Sequence, residues 1–265
     1  MAADRAILVF DIDGVVRDVS GSYRRAIADA VEHFTGGGFR PHSGDIDALK
    51  SEGIWNNDWD ASFELVCRYF EGAGRERSQL ALNYDELVAF FQSRYRGPDD
   101  RAWTGYICDE PLLSTPAYFE SLTAGGIAWG FFSGAMRAEA AYVLEGKLGL
   151  QSPVLVAMED APGKPDPTGL FSAIELLEKQ QVLAKDLPVI YAGDTVGDIY
   201  TVVKASKQQP ERVWVGIGIL PPHVLDDEAR CEAYAARLKD AGAAEVFRNV
   251  EELTAARLGE LIKRF

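Results

Sequence analysis

The sequence predicts an α/β protein: a parallel sheet with helices on both faces and an α-helical insert after its first strand. Three observations predict it. Short apolar runs ending in small or acidic residues recur along the 265-residue chain. Amphipathic helical patterns alternate with these runs in the C-terminal part of the chain. Between about residue 20 and residue 115 the helical patterns continue, but no good strand accompanies them.

The first strand reads from "AILVFDID" (6–13), followed by "IAWGFFSG" (127–134), "PVLVAMED" (153–160), "PVIYAGD" (188–194), "RVWVGIGI" (212–219) and, weakly, "AAEVF" (243–247). They are rich in β-branched and aromatic residues and lack polar alternation, as strands buried on both faces require. Helical patterns over 135–150, 166–183, 196–206, 226–242 and 250–265 separate or follow them. Such alternation gives a parallel sheet. In the insert, "SYRRAIADAVEHFTG", "WDASFELVCRYFEGAG" and "YDELVAFFQSRYRG" read as helices, and "TGGGF" and "RGPDD" as turns. The expected division is a core of 1–19 and 116–265 and an insert of 20–115.

Composition narrows the function. Hydrophobic residues make up 47% and charged residues 26%, enough for a full core. A net charge of −14 disfavours nucleic acid and anionic membrane as partners. Cys67, Cys108 and Cys231 are scattered, without a CxxC pair, which fits a reducing compartment rather than a disulfide framework. His33, His42 and His223 show no metal-ligand spacing. No apolar run approaches the ~18 residues of a membrane span, and no basic segment precedes an apolar leader. The expectation is a cytoplasmic protein, monomer or homodimer.

Four strand ends carry the chemistry. The first ends in Asp11 and Asp13, the second in Ser133 and Gly134, Lys164 follows the third in "GKPDP", and the fourth ends in "GDTVGD" with Asp194 and Asp198. In an open parallel sheet these ends share one edge, where ligands bind. Two aspartates so close are unfavourable unless a cation sits between them or one of them holds a proton. Asp11, Asp13, Asp194 and Asp198 are hard oxygen donors suited to Mg²⁺. Lys164, the Ser133 hydroxyl and the N–H groups at the following helix start suit a phosphoryl group, leaving a carboxylate free to attack phosphorus.

This ordered set resembles the haloacid dehalogenase (HAD) superfamily, subfamily I with a helical cap, and within it the Mg²⁺-dependent phosphatase branch: "DIDGV", "FFSGA", "GKPDP" and "GDTVGD" match its four motifs. The resemblance implies a Rossmann-like parallel-sheet core, an α-helical cap inserted after the first strand, and a small phosphorylated metabolite as substrate. It implies that Asp11 is the nucleophile and a metal ligand, and that Asp13 is the general acid and base, with its backbone carbonyl facing the metal. Ser133, Gly134 and Lys164 would clamp the phosphate, and Asp194 and Asp198 would hold Mg²⁺ directly or through water. A phosphosugar mutase of the same superfamily and a non-catalytic phosphate-binding module are the alternatives.

Two features lie outside the motifs. Arg17 leaves the first motif and is a candidate for a second anionic group on the substrate, more so than Arg24 or Arg25. In "GIWNNDWDAS" (53–62), Trp55, Asn56 and Asn57 combine flat apolar faces with amides, as a substrate lid does. The same residues also suit a helix start, with Asn57 or Asp58 as cap and Trp55 and Trp59 packing beside it.

Overall fold

Every side chain of Ala6–Phe10 is buried, and the alternation of a strand sends them to opposite faces of the sheet. Ala6, Leu8 and Phe10 join one apolar cluster, and Ile7 and Val9 join another. In the computed structural model, which describes residues 6–55, 57–99 and 101–265, this segment is strand β1 (Ala6–Phe10). Four helices follow it: α1 (Tyr23–Phe34), α2 (Ser43–Lys50), α3 (Asp58–Gly72) and α4 (Tyr84–Tyr95). Helix α5 (Pro116–Ala124) then leads into β2 (Ile127–Phe132), α6 (Arg137–Ala141), β3 (Leu155–Val156), α7 (Thr168–Gln181) and β4 (Val189–Gly193). The chain continues through α8 (Val196–Gln208), β5 (Trp214–Ile219), α9 (Glu228–Asp240), β6 (Glu245–Phe247) and α10 (Ala255–Ile262).

Two compact units result. One runs up to Asp18 and resumes over Leu112–Phe265, and the other is Val19–Pro111. The first holds a six-stranded sheet in the order β3-β2-β1-β4-β5-β6, every pairing parallel. The order reverses at β1, whose Phe10 lies opposite Phe131 of β2 on one side and Ala192 of β4 on the other. Such a switch point leaves a crevice beyond the strands' carboxyl ends. Helix α7 covers one face through Leu170, Ala173, Ile174 and Leu177, and Phe119 and Leu122 of α5 with Leu258 and Leu261 of α10 cover the other.

Two core segments differ from expectation. The run at 153–160 yields only the two-residue β3, because it is an edge strand and the Asp160 carboxylate takes the Ala157 N–H (2.7 Å) to turn the chain. The helix expected over 135–150 is α6 alone, five residues long, followed by a wider-wound turn at Tyr142–Lys147. Among the described residues no helix is long and apolar enough to cross a membrane.

The helical unit is held by stacked rings and buried charge. Tyr23 stacks on Tyr95 with centroids 4.1 Å apart, and His33 stacks on Phe90 at 4.1 Å. Helix α2, absent from the expected elements, begins where Asp45 accepts the His42 N–H (2.8 Å). Glu64, 5% exposed, accepts from Arg68 at 2.7 Å and Arg77 at 2.8 Å. Burial pushes the Glu64 carboxyl up, but Arg77 and Arg68 outweigh it and hold it below the ordinary value. A carboxyl depressed in the folded state stabilises above its unfolded pKa, about 4.3, and loses that contribution as pH falls through the folded value. Glu64→Gln is therefore expected to cost about 1–3 kcal/mol at pH 7. The gap from wild type should narrow below about pH 4. Thermal melts of the two proteins at pH 7 and pH 3 check this, and an equal gap at both would contradict it.

Candidate active site

Asp11 follows β1 directly, its N–H donating to Ala192 O of β4 (2.8 Å). Ser133 follows β2, with its N–H on Val156 O (3.0 Å), and Asp194 follows β4. The parallel register thus brings the ends of three neighbouring strands level. Lys164 reaches the same place from the loop after β3: its Nζ lies 2.8 Å from Asp11 Oδ1 and 2.6 Å from Asp198 Oδ1. Its side chain is 2% exposed and that of Asp198 is fully buried.

Lys164 is the cation that the clustered carboxylates need. Burial pulls its ammonium down, but Asp11 and Asp198 outweigh that and push it well above the ordinary lysine value. Asp198 is driven upward by burial and brought below the ordinary carboxylate range by Lys164 and by hydrogen bonds from Thr195. Asp11 goes the other way. Burial, with repulsion from Asp198 and Asp13, lifts it to about 7 despite Lys164.

The donor set fits a divalent metal. Asp11, Asp194 and Asp198 each bring a carboxylate oxygen within 4.8 Å of the others, and all-oxygen ligation suits a hard cation. Asp11 Oδ1 is buried, with the Lys164 ammonium 2.8 Å away as its ion-pair partner and no further group among the described residues satisfying it. A cation among these acids would satisfy it and favour the charged carboxylate. Backbone shape serves the same end: Gly14 has φ +75°, and a Cβ there would stand 2.2 Å from Asp194 Oδ2. At Gly193 a Cβ would meet Asp198 Cβ at 2.3 Å. No side chain fits at either place.

Asp198 is bonded more completely than a metal ligand needs to be. Oδ1 takes Lys164 at 2.6 Å and the Tyr191 hydroxyl at 3.1 Å, and Oδ2 takes the Thr195 N–H at 2.9 Å and hydroxyl at 2.6 Å. It closes a capping box at the start of α8 and anchors Lys164. The Asp13 carboxylate pairs with Arg17, whose Nε donates to Oδ1 at 2.6 Å. Ser133 is buried, its Oγ accepting the Ala135 N–H at 3.1 Å. The Gly134 N–H has no acceptor among the described residues, and a Cβ at Gly134 would meet nothing within 4 Å. The start of α6, by contrast, is occupied, since the Glu159 carboxylate takes the Arg137 N–H at 3.0 and 3.2 Å.

A family model for haloacid dehalogenase-like hydrolases matches residues 6–205. The chain belongs to that family. A Phytophthora nicotianae protein named imidazoleglycerol-phosphate dehydratase is 32% identical over 228 residues, 84% of this chain and 45% of that protein. The chain thus spans about half the length of the curated relative it matches. Among solved structures, a phosphonoacetaldehyde hydrolase-like protein from Oleispira antarctica is 16% identical with a TM-score of 0.69, covering 99% of this chain and 94% of that one. Phosphatase Tt82 from Thermococcus thioreducens is 19% identical with a TM-score of 0.58, covering 86% and 98%. At these identities the likeness is one of fold.

Within this haloacid dehalogenase-like hydrolase, the fold gathers Asp11, Lys164, Asp194 and Asp198 and keeps Ser133 and Gly134 at the same sheet edge. The residues singled out beyond the motifs fare differently. Arg17 is fully buried and bound to Asp13 rather than open to a ligand. Asn57 spends its side-chain oxygen capping α3, accepting from Trp59 N at 2.8 Å and Asp60 N at 3.3 Å. Trp55 donates its indole N–H to Glu52 (2.8 Å), and Asn56 lies outside the described residues. Arg24 pairs with Asp47 at 2.5 Å and Arg25 lies 4.2 Å from the Tyr106 ring centre. Sequence reasoning missed Tyr191, fully buried in β4, whose hydroxyl lies between Asp198 and Phe132 O (3.0 Å). Nothing in "PVIYAGD" separates that tyrosine from an apolar strand residue.

Proposed function

We propose that this chain is an Mg²⁺-dependent phosphatase that hydrolyses a small phosphorylated metabolite through an aspartyl-phosphate. The observation that carries the reading is the buried Asp11 carboxylate with Lys164 at 2.8 Å and two further acids beside it. That is a nucleophile with charge arranged around it and little exposure to water. Asp11 attacks phosphorus as the ester P–O bond breaks, and Asp13 gives its proton to the departing alkoxide. Asp13 then takes a proton from water, whose oxygen attacks the same phosphorus and releases Asp11 and inorganic phosphate. Lys164, the Ser133 hydroxyl and the Gly134 N–H hold the phosphoryl oxygens. Asp11 and Asp194 would hold Mg²⁺, with the Asp13 carbonyl, while Asp198 steadies Lys164. The ion, when bound, neutralises charge between the nucleophile and the phosphoryl oxygens.

The name of the Phytophthora relative, imidazoleglycerol-phosphate dehydratase, is the reason to try imidazole-bearing phosphate monoesters first among candidate substrates. The test is phosphate release from a panel of sugar, acid and imidazole-bearing phosphate esters, with Mg²⁺ and with chelator. One standout ester whose turnover needs Mg²⁺ is the expected result. A folded, Mg²⁺-binding protein that releases no phosphate, or that returns the phosphoryl group to another position on a sugar, would replace this reading with a binder or a mutase.

A further inference from the structure

Arg17 is the largest fully buried side chain among the described residues. A guanidinium without solvent is tolerated only where a fixed acceptor compensates it. Its Nε meets Asp13 Oδ1 at 2.6 Å, with Arg17 at 0% and Asp13 at 25% side-chain exposure. The backbone around Arg17 is pinned. Its N–H donates to Ile12 O (3.1 Å), its carbonyl accepts the Gly14 N–H (2.9 Å), and it bridges both Asp13 and Leu112. The buried, clamped member of the pair therefore sets the place of the more exposed one.

We infer that Arg17 is a positioning residue for Asp13: its guanidinium fixes one carboxylate oxygen so that Oδ2 alone faces the reacting ester oxygen. This rests on the phosphatase reading above, in which Asp13 moves the proton. The choice of arginine follows from its shape. The Nε–H is a single donor held in the rigid guanidinium plane, so it fixes the direction of the bond to Oδ1, whereas an ammonium rotates among three donors. The pair is four residues apart but lies on a turn, so helical neighbour geometry does not account for it.

The test compares wild type with Arg17→Met, Arg17→Lys, Asp13→Asn and the Arg17→Met/Asp13→Asn double variant. Single-turnover release of the alcohol is measured from the best alkyl phosphate of the panel and from 4-nitrophenyl phosphate. A poor alkoxide leaving group needs the proton and a nitrophenolate does not. Arg17→Met is expected to slow the alkyl ester about a hundred-fold, the scale of general acid catalysis, with much less effect on the aryl ester and little change in KM. Arg17→Lys should recover part of the loss. In the Asp13→Asn background the Arg17 substitution should have little further effect, because it acts through a carboxyl no longer present. A loss confined to KM and retained without Asp13 would make Arg17 a substrate contact. Equal losses on both esters would make it structural. If Arg17→Met does not fold, the same cycle with Arg17→Lys decides. Wild type inactive on every ester would overturn the phosphatase reading and this inference with it, whereas an active wild type with an additive cycle would overturn this inference alone.

Discussion

Asp11→Asn is expected to reduce phosphate release by about 10⁴-fold or more, the scale of losing a covalent nucleophile, in a protein that stays folded. Asn keeps the shape of the side chain and removes a charge that the site holds at a cost. In the metal-free protein burial lifts Asp11 to about 7, above its unfolded value of about 3.9. A carboxyl raised in the folded state stabilises most when protonated, so its contribution falls as pH rises between about 4 and 7. At pH 8 the chelated Asp11→Asn protein should melt at or above wild type, and at pH 5, where Asp11 already carries its proton, the two should converge. Mg²⁺ should raise the wild-type melting temperature more at pH 8 than at pH 5, since the metal competes with a proton for the same oxygen. A variant that keeps turnover, or a wild type stabilised by Mg²⁺ equally at both pH values, would contradict this account of Asp11.

Much of this site was legible because backbone topology does most of the gathering. Once "AILVFDID", "IAWGFFSG" and "PVIYAGD" are read as parallel strands, Asp11, Ser133 and Asp194 must meet at one edge whatever their side chains do. Lys164 required only that its loop return to that edge. Partner choice was not legible. Asp198 reads as a metal ligand by residue type, yet the T-x-x-D spacing of Thr195 and Asp198 also marks a capping box, and the structure uses both its oxygens for that cap, Lys164 and Tyr191. Arg17 reads as a substrate contact because it leaves the first motif, and nothing local announces a turn that buries it against Asp13. Asn57 was open between lid and cap, and hydrogen bonds from Trp59 N and Asp60 N account for its side-chain oxygen. Pattern shows which strand end a residue occupies, but burial and hydrogen-bond competition decide what its atoms do there.

Lys164→Met is the substitution expected to cost the most stability. Methionine fills a similar volume, so the effect isolates the charge. Without the ammonium, Asp11 and Asp198 remain buried beside each other, and removing one partner from a buried ion pair costs about 3–5 kcal/mol. For a domain of this size that is a fall of roughly 6–20 °C in melting temperature at pH 8. In wild type Asp198 is held low by Lys164 and stabilises above its unfolded pKa. In the variant only the Thr195 hydrogen bonds still oppose burial, so its folded pKa moves up and its stabilising contribution at high pH shrinks. Stability of Lys164→Met should therefore improve as pH falls from 8 toward 5, because each buried carboxyl that takes a proton removes the repulsion. Adding Asp198→Asn should recover a large part of the melting temperature by removing the second charge: the amide oxygen still accepts from Thr195, and the amide NH₂ donates to the Tyr191 hydroxyl, which keeps Phe132 O as its own acceptor. Under the phosphatase reading, in which Lys164 also holds the phosphoryl group, activity should not return. Melting curves of the single and double variants at pH 5 and pH 8, read beside phosphate release, separate the two roles of Lys164. If the single variant melts like wild type at pH 8, Lys164 is not what compensates these carboxylates, and another cation must hold the site together.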